Sequence, residues 1–594
     1  MSNLDDIERP TQGGDASVWG SDVIAELLRR LGLRYVALNP GASFRGLHDS
    51  LVNWNGNRDP QMILCLHEEH AVAIAHGYAK VTGEPMAVIL HSNVGLLHGS
   101  MGIFNAWVDR MPVLVLGATG PVDAAKRRPW IDWIHTAQDQ GALVRPFVKW
   151  DDQPASVPAT VEAILRANLL SRTAPCGPTY VCMDAAVQEG KLDGMPELPE
   201  PRRFTPPQPS RPGAGSVAET VRLLEKARSP VILAGRGSRG ASQWRRRIAL
   251  AQALGAKVAT DLKAAAAFPT DHPLHVASPG YFLDADALGA LREADVILSL
   301  DWIDLAGSLK LAFGAAGPAE ATVVQASIDH VNHSGWSKDH QALAPVDIHL
   351  ASDPDTAVSE LCAAFGLAEV PAEALEDFPT APIPAALPEE EALDIPGLAA
   401  ALGKGLGGAA VTFLRLPLGW DGALWHFRHP LDYLGGDGGG GLGSGPGMAV
   451  GAALALRGGP RLPVAVLGDG DFVMASSAIW TAAHYRIPML VVVCNNGSFY
   501  NDEVHQERVA RERGRPVENK WIGQRISDPA IDVAGLARSY GADAIGPVST
   551  PLDLARAVEA GARLVGEGRV CVIDARVQPG YSKAMATSLN RKPS

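Results

Sequence analysis

The sequence predicts an α/β protein of three doubly wound parallel-sheet domains, and three observations carry that reading. Apolar strand segments alternate with helical patterns along nearly the whole chain, as in SDVIAELLRRLGLRYVALNPG and MPVLVLGATG near its start. Two proline-rich stretches without apolar periodicity cut the alternation into three units of similar size. Several strand segments end in polar clusters, where open parallel sheets present their functional groups. Sustained strand–helix alternation buries each strand beneath helices on both faces. With 594 residues, 46% of them apolar, the chain can fill three or four cores at the usual size of roughly 100–200 residues per domain.

Composition narrows the function classes. The formal charge of −13 is modest for this length and no block of like charge occurs, so no nucleic-acid partner is expected. The opening MSNLDDIERPTQGGDAS lacks the basic and apolar regions of a secretory signal, and no apolar run approaches the roughly 20 residues of a membrane span. A soluble, cytoplasmic protein with no membrane association is expected. Cys65, Cys176, Cys182, Cys362, Cys494 and Cys571 are scattered without a CxxC pair, which predicts reduced, mostly buried thiols.

Taken in order, residues 1–16 read as a flexible tail. Residues 17–195 form the first domain, with the helix of LHEEHAVAIAHGYAKVTG presenting Ala71, Ile74, Ala75 and Tyr78 as its apolar face and PTYVCMD as the final strand. A proline-rich, semi-rigid linker covers 196–213. The second domain spans 214–368, and after its strand PVILA, Gly235, Gly237 and Gly240 spell GxGxxG with Asp261 21 residues further on. That is the pattern of a dinucleotide site, and a lone instance is weak. A second linker covers 369–395, and the third domain runs over 396–594.

The third domain holds the stretch around which the chain is organised, Leu467 to Ser498. Two strands end in Gly468-Asp469-Gly470 and in Asn495-Asn496, and SSAIWTAAHY between them has helical spacing, which predicts a strand–turn–helix–strand unit. Gly468 and Gly470 let the backbone approach an anion, while Asp469 and Asn496 offer hard oxygen ligands suited to Mg²⁺ on a diphosphate. Just upstream, GGDGGGGLGSGPG is so dense in glycine that backbone must come close to something or take positive φ there. In the first domain, Glu68 stands at the start of a helix, a position that also suits a surface carboxylate stabilised by the helix dipole.

The motif set NPGAS at 39–43, HEEHA at 67–71, LHSNVG at 90–95, GGLGSG at 440–445, and GDG followed by NN with Asn496 27 positions after Asp469, resembles the thiamine diphosphate (ThDP) enzymes of the pyruvate oxidase/decarboxylase, acetolactate synthase-like family. Within it, LNPGAS, ILHSNVG, LVRPFVKW and SAIWTAAHYRIP are most similar to the benzoylformate decarboxylase group. The resemblance implies pyrimidine-binding (PYR), central Rossmann-like and diphosphate-binding (PP) domains, with ThDP and Mg²⁺ as cofactors. It implies that Asp469, Asn496 and the Ser498 carbonyl hold the metal, that Glu68 drives the pyrimidine ring through its tautomers, that Leu442 braces the bent cofactor and that the Gly440 carbonyl orients the 4′-amino group. Sites built from two subunits follow, hence a homodimer at minimum and a homotetramer as the expected assembly.

By the same resemblance His91 falls on a catalytic histidine, and Asp502 or His505, in the charged segment 499–529, becomes a candidate proton relay. A solvated charged helix is the other reading of that segment. No adjacent His-His pair follows LHSNVG, DWIDLAG stands at 301–307 where a second catalytic histidine would come, and Asp471 is an acid close to the diphosphate that has no explanation unless it turns away or bonds to backbone. The expected function is a ThDP- and Mg²⁺-dependent lyase acting on a small 2-oxo acid, a decarboxylase with carboligation as a side activity. Alternatives are a 2-hydroxyacyl-CoA lyase, an acetolactate synthase-like transferase, or a non-catalytic homologue. In some relatives the central domain binds FAD or the ADP moiety of CoA and in many it binds nothing; an empty central domain is expected.

Overall fold

Parallel pairing dominates the computed structural model, which describes residues 7–581 apart from 12, 15–16, 277, 315–316, 319, 330–342, 372–386 and 388–390. A short antiparallel pair, β1 (Val18–Trp19) with β8 (Lys191–Leu192), ties together the two ends of the first domain. Its main sheet contains β2 (Tyr35–Leu38), β3 (Gln61–Leu64), β4 (Met86–Leu90), β5 (Val113–Thr119), β6 (Asp151–Asp152) and β7 (Pro178–Asp184), in the order β3-β2-β4-β5-β7-β6. The second sheet runs β10-β9-β11-β12-β13, from β9 (Pro230–Ala234), β10 (Lys257–Ala259), β11 (Val296–Leu300), β12 (Thr322–Ala326) and β13 (Ile348–Leu350). The third runs β14-β15-β16-β18-β17, from β14 (Val411–Arg415), β15 (Leu462–Gly468), β16 (Met489–Asn495), β17 (Asp543–Val548) and β18 (Val570–Arg576). All three main sheets are parallel, and strands such as β4, β5 and β16 are buried at every position, so their sequences are unbroken apolar runs rather than alternating ones.

The register places the two polar clusters of the third domain side by side. Gly468 pairs with Cys494, so Asp469 and Asn496 leave neighbouring strands at the same sheet edge. Gly468-Asp469-Gly470 is not a separate turn as expected: a helix starts at Asp469 and runs to Met474, followed by a second at Ala478–His484.

The first and third domains share a core. The Glu68 helix (Glu68–Thr82) crosses the Gly445 helix (Gly445–Leu456), and Ala71, Ile74 and Ala75 of one pack in the same apolar cluster as Ala449, Val450 and Ala453 of the other. Backbone meets backbone at this crossing. A Cβ on Gly451 would stand 1.8 Å from the Ile74 carbonyl oxygen, and one on Gly77 2.1 Å from that of Met448. The glycine-rich run before this helix is a wedge as well: Gly439 abuts Asn105 and Phe104 of the Ser92 helix (Ser92–Val108), and Gly435 abuts the backbone at Lys263–Ala265 of the second domain. Both uses of glycine predicted there occur, because Gly435, Gly438, Gly440 and Gly443 also take positive φ.

Of the expected flexible tail, residues 1–6, 12, 15 and 16 lie outside the described residues, but Glu8 and Arg9 are anchored. Arg9 donates to the Asn57 carbonyl at 2.6 Å, and Glu8 accepts from the Tyr485 hydroxyl at 2.8 Å and pairs with His484 at 3.0 Å. Buried partners for both charges hold this stretch against the domain. Most of the linker expected at 369–395 also lies outside the described residues.

The crossing gives a stability prediction. Gly451→Ala must push two helix backbones apart and should cost about 1–3 kcal/mol, lowering the melting midpoint by roughly 1–4 °C. Gly289→Ala, on a helix where an added Cβ meets nothing within 4 Å, should leave the midpoint unchanged or raise it slightly. Differential scanning calorimetry of the two variants checks the contrast.

Candidate active site

At the carboxyl edge of the third sheet lies a cavity of about 640 Å³ to which all three domains contribute. The third domain supplies Gly440, Leu442, Gly468, Asp469, Gly470, Asn496, Ser498 and Asp502; the second adds Lys263, Tyr281 and Ile303; the first adds Val108 and Asp109. Predicted residues from both halves of the organising stretch are therefore brought together. Glu68, His91 and His505 do not line this cavity.

The Asp469 carboxylate accepts from the Gly470 amide at 2.8 Å and from the Gly497 amide at 2.6 Å, and Gly497 takes positive φ to present it. Asn496 Oδ1 accepts from the Ser498 amide at 3.0 Å. Burial raises the Asp469 carboxyl above its ordinary value, backbone amides are the main groups opposing that rise, and among the described residues no ion pair reaches it. A buried carboxylate without an ion-pair partner, an amide oxygen and a strand-end carbonyl on one wall form a hard-oxygen donor set that fits Mg²⁺. A Cβ on Gly468 or on Gly440 would meet nothing within 4 Å, which leaves backbone open to a ligand at both points. Gly470 serves a different end, since its missing Cβ makes room for the Phe499 ring at 2.6 Å.

The loop over this wall is held by two acids. Asp437 accepts from the Gly440 amide at 2.7 Å, from the Ser444 hydroxyl at 2.9 Å and from Arg415 at 2.8 Å. Burial pushes its carboxyl up, but Arg415 and these donors win and hold it below the usual range. Asp471, unexplained unless it turned away or bonded to backbone, bonds to the same loop, accepting from the Gly443 amide at 2.7 Å and the Gly445 amide at 3.3 Å. Leu442 lies between these anchored amides and is 46% exposed.

Beneath the loop, Lys80 and His76 of the Glu68 helix both reach Asp109, and Lys80 also donates to the Gly436 carbonyl at 2.7 Å. Burial raises Asp109, yet Lys80 and His76 outweigh it and bring its carboxyl down to about 2. This trio joins the first domain to the glycine loop.

On the first domain, Glu68 is buried and its carboxylate lies 3.0 Å from His98 Nδ1, while His67 caps the helix through its Nδ1 and stacks on His98. The ligand atoms of His67, Glu68 and His98 lie within 4.8 Å of one another. His91 directly follows β4 and precedes Ser92, buried and at φ 43°, a strained conformation of the kind that marks a functional turn. Burial, then His135, lowers the His91 imidazole below its ordinary value.

The helix Tyr500–Glu512 carries Asp502 to the cavity rim, whereas Glu507, Arg511 and Lys520 pair at the surface as a solvated charged helix does. Glu503 was not anticipated: it is buried and accepts from the Ser498 hydroxyl at 2.6 Å, tying this helix to the Asn496–Ser498 loop. The GxGxxG loop after β9 is filled by the chain itself. Gly237 leaves room for the Arg247 guanidinium, which pairs with Asp355, and Arg236 bridges Asp301 and Asp329. Asp261 caps its own turn through the Lys263 and Ala264 amides.

Sequence comparison now adds the relatives. Residues 18–143 match the N-terminal TPP binding domain of thiamine pyrophosphate enzymes, 217–361 their central domain and 418–575 their C-terminal TPP binding domain. Benzoylformate decarboxylase of Pseudomonas aeruginosa is 26% identical over 88% of this chain and 92% of its own. A probable acetolactate synthase large subunit of Methanocaldococcus jannaschii is 24% identical over 88% and 87%. In fold, the chain is similar to a ThDP-dependent 4-hydroxybenzoylformate decarboxylase of Rhodococcus jostii RHA1, with a TM-score of 0.73 at 22% identity over 95% of this chain and 100% of that one. Matched in each of its three domains, the chain belongs to the thiamine pyrophosphate enzymes.

Proposed function

We propose that the protein is a ThDP- and Mg²⁺-dependent lyase that decarboxylates a small 2-oxo acid, in an oligomer whose active sites are completed across subunits. The observation that carries this reading is the buried Asp469 carboxylate beside Asn496 and Ser498 on one wall of a cavity where the backbone is open at Gly468 and Gly440. When bound, thiamine diphosphate supplies a carbanion that adds to the substrate carbonyl and an electron sink for loss of CO₂. Asp469, Asn496 and the Ser498 carbonyl hold the metal and Gly468 admits the diphosphate. The Gly440 carbonyl orients the amino group, with Asp437 and Asp471 fixing the backbone on either side of it. Leu442 braces the cofactor. Asp502, exposed at the rim, exchanges the proton that replaces CO₂.

Glu68 has the role of a carboxylate holding a proton against the pyrimidine ring, and it does not line its own chain's cavity. Exposed apolar residues flank both halves: Leu66 and Leu97 (43% and 54% exposed) beside Glu68, and Leu442 and Met474 (46% and 59%) beside the cavity. A second copy placing its Glu68 face on this cavity covers all four. A homodimer is the smallest such assembly, with a homotetramer as the expected form. Among the described residues no helix is long and apolar enough to cross a membrane, and six free cysteines suit a reducing cytoplasm.

A transferase joining two 2-oxo acids, in the manner of acetolactate synthases, is the second reading, favoured by the Methanocaldococcus relative. An acyl-CoA lyase is less well supported, because arginines fill the GxGxxG loop. A panel from pyruvate to aryl-glyoxylates, scored for CO₂, aldehyde and acyloin, separates these: CO₂ with aldehyde supports the lyase, acetolactate from pyruvate the transferase.

Three outcomes are expected. Glu68→Gln should bind ThDP by calorimetry yet lose at least about 100-fold in turnover. Co-expressed Glu68→Gln and Asp469→Asn chains, each inactive alone, should regain activity in mixed oligomers, since one site of each mixed dimer draws both residues from unaltered positions; no recovery would rule out a shared site. Burial raises the native Asp469 carboxyl above its unfolded value, so the ionised group costs stability once pH rises past the usual carboxylate range. Asp469→Asn should therefore raise the melting midpoint of the cofactor-free protein at pH 7 and abolish the further rise that Mg²⁺ with ThDP gives the unaltered chain.

A further inference from the structure

We propose that Ser43, His91 and His135 form a hydrogen-bonded chain that leaves His135 Nε2–H as a donor to a substrate oxygen, with His91 as the residue that positions it. The inference rests on the decarboxylase reading for its reaction, but the geometry stands apart from it. Ser43 Oγ lies 2.9 Å from His91 Nδ1, and the Ser43 backbone N–H points to the same nitrogen at 3.4 Å. A backbone N–H can only donate, so Nδ1 is an acceptor and neutral His91 carries its proton on Nε2. His91 Nε2 is 3.2 Å from His135 Nδ1. That Nδ1 accepts in turn, and neutral His135 carries its hydrogen on Nε2.

Both nitrogens of His91 are thus engaged, and among the described residues His135 Nε2 has no partner. A proton on His91 Nδ1 would set that N–H against the Ser43 backbone N–H, the contact that fixes the tautomer. The fall in the His91 imidazole through burial and its neighbour agrees with that geometry. The Gly95 amide donates to the His91 carbonyl at 2.6 Å, and a Cβ on Gly95 would stand 3.3 Å from both the Glu68 side chain and the Leu90 carbonyl carbon, so this turn packs against the carboxylate that the proposed assembly presents to a partner's cavity. His135 itself is held over β4 by its neighbours: the Gly120 amide donates to Thr136 Oγ1 at 3.3 Å, and Asn93 donates to the Ile134 carbonyl at 3.5 Å. An imidazole N–H fixed in such a place polarises a carbonyl or carboxylate oxygen, as fixed donors do at sites of developing charge.

Two measurements test this. In turnover of the best 2-oxo acid, His135→Phe should lose about 100-fold in kcat with ThDP binding unchanged, while His135→Asn, which keeps an N–H but cannot titrate, should recover most of that loss and leave the pH profile between about 5.5 and 8 unaltered. Equal activity of His135→Phe and the unaltered enzyme, or an Asn variant as inactive as Phe, overturns the donor role. Independently of any activity, peptide mass spectrometry after diethyl pyrocarbonate treatment should find His135 acylated and His91 protected, with His91 becoming reactive in His135→Ala. His91 reacting as readily as His135 in the unaltered protein would break the chain. If no 2-oxo acid is consumed but this labelling pattern holds, the decarboxylase reading has failed and the histidine geometry has not.

Discussion

The contact on which the rest depends is the crossing of the Glu68 and Gly445 helices, where Gly77 and Gly451 let main chains touch. Any side chain there would separate two domains that share one apolar core. Because the crossing is backbone to backbone, it has little freedom to slide, and it sets two positions at once. It fixes the start of the Glu68 helix, and so the carboxylate, on one face of the chain. It also fixes the end of the glycine loop whose amides are gathered by Asp437 and Asp471. A loop of this composition would be disordered on its own; here it has a helix at one end and two buried acids beneath it.

Charge is distributed on that frame in a telling way. Asp109 meets Lys80 and His76, Asp437 meets Arg415, and Asp329 meets Arg110 and Arg236, so the buried acids between domains are matched by cations. Such pairs add little net stability but are costly to break, and they make the domain arrangement specific. Asp469 and Asp471 are the contrast. Asp471 accepts from backbone amides and feels Arg415, whereas the main partners of Asp469 are backbone amides and, among the described residues, no ion pair reaches it. A buried carboxylate without an ion-pair partner thus stands on the cavity wall.

Much of this was legible in the sequence. Strand–helix alternation predicted three parallel sheets because buried strands are apolar throughout, and the spacing from Asp469 to Asn496 fits one crossover between neighbouring strands. Glycine density correctly signalled close backbone approach at 435–451. What was not legible came from the fold bringing distant residues together. Lys263 and Tyr281 reach the cavity from another domain, and no local pattern marks them. His135 sits 44 positions from His91 in an irregular stretch, so the pairing leaves no trace in spacing. Glu503 was visible only as one of several charges on a helix; its burial against Ser498 distinguishes it. The tail at Glu8 and Arg9 misled because polar composition reads as freedom when each charge in fact has a buried partner.

The self-filled loop after β9 bears on how sequences of this kind are interpreted. Gly235 abuts the Asp301 carbonyl, where a side chain has no room, and Gly237 lies against the Arg247 guanidinium. Packing alone therefore gives the motif a reason for its first glycine, independent of any ligand. Whether such a motif signals an occupant is decided by what stands opposite its glycines, and here that is the chain's own arginine.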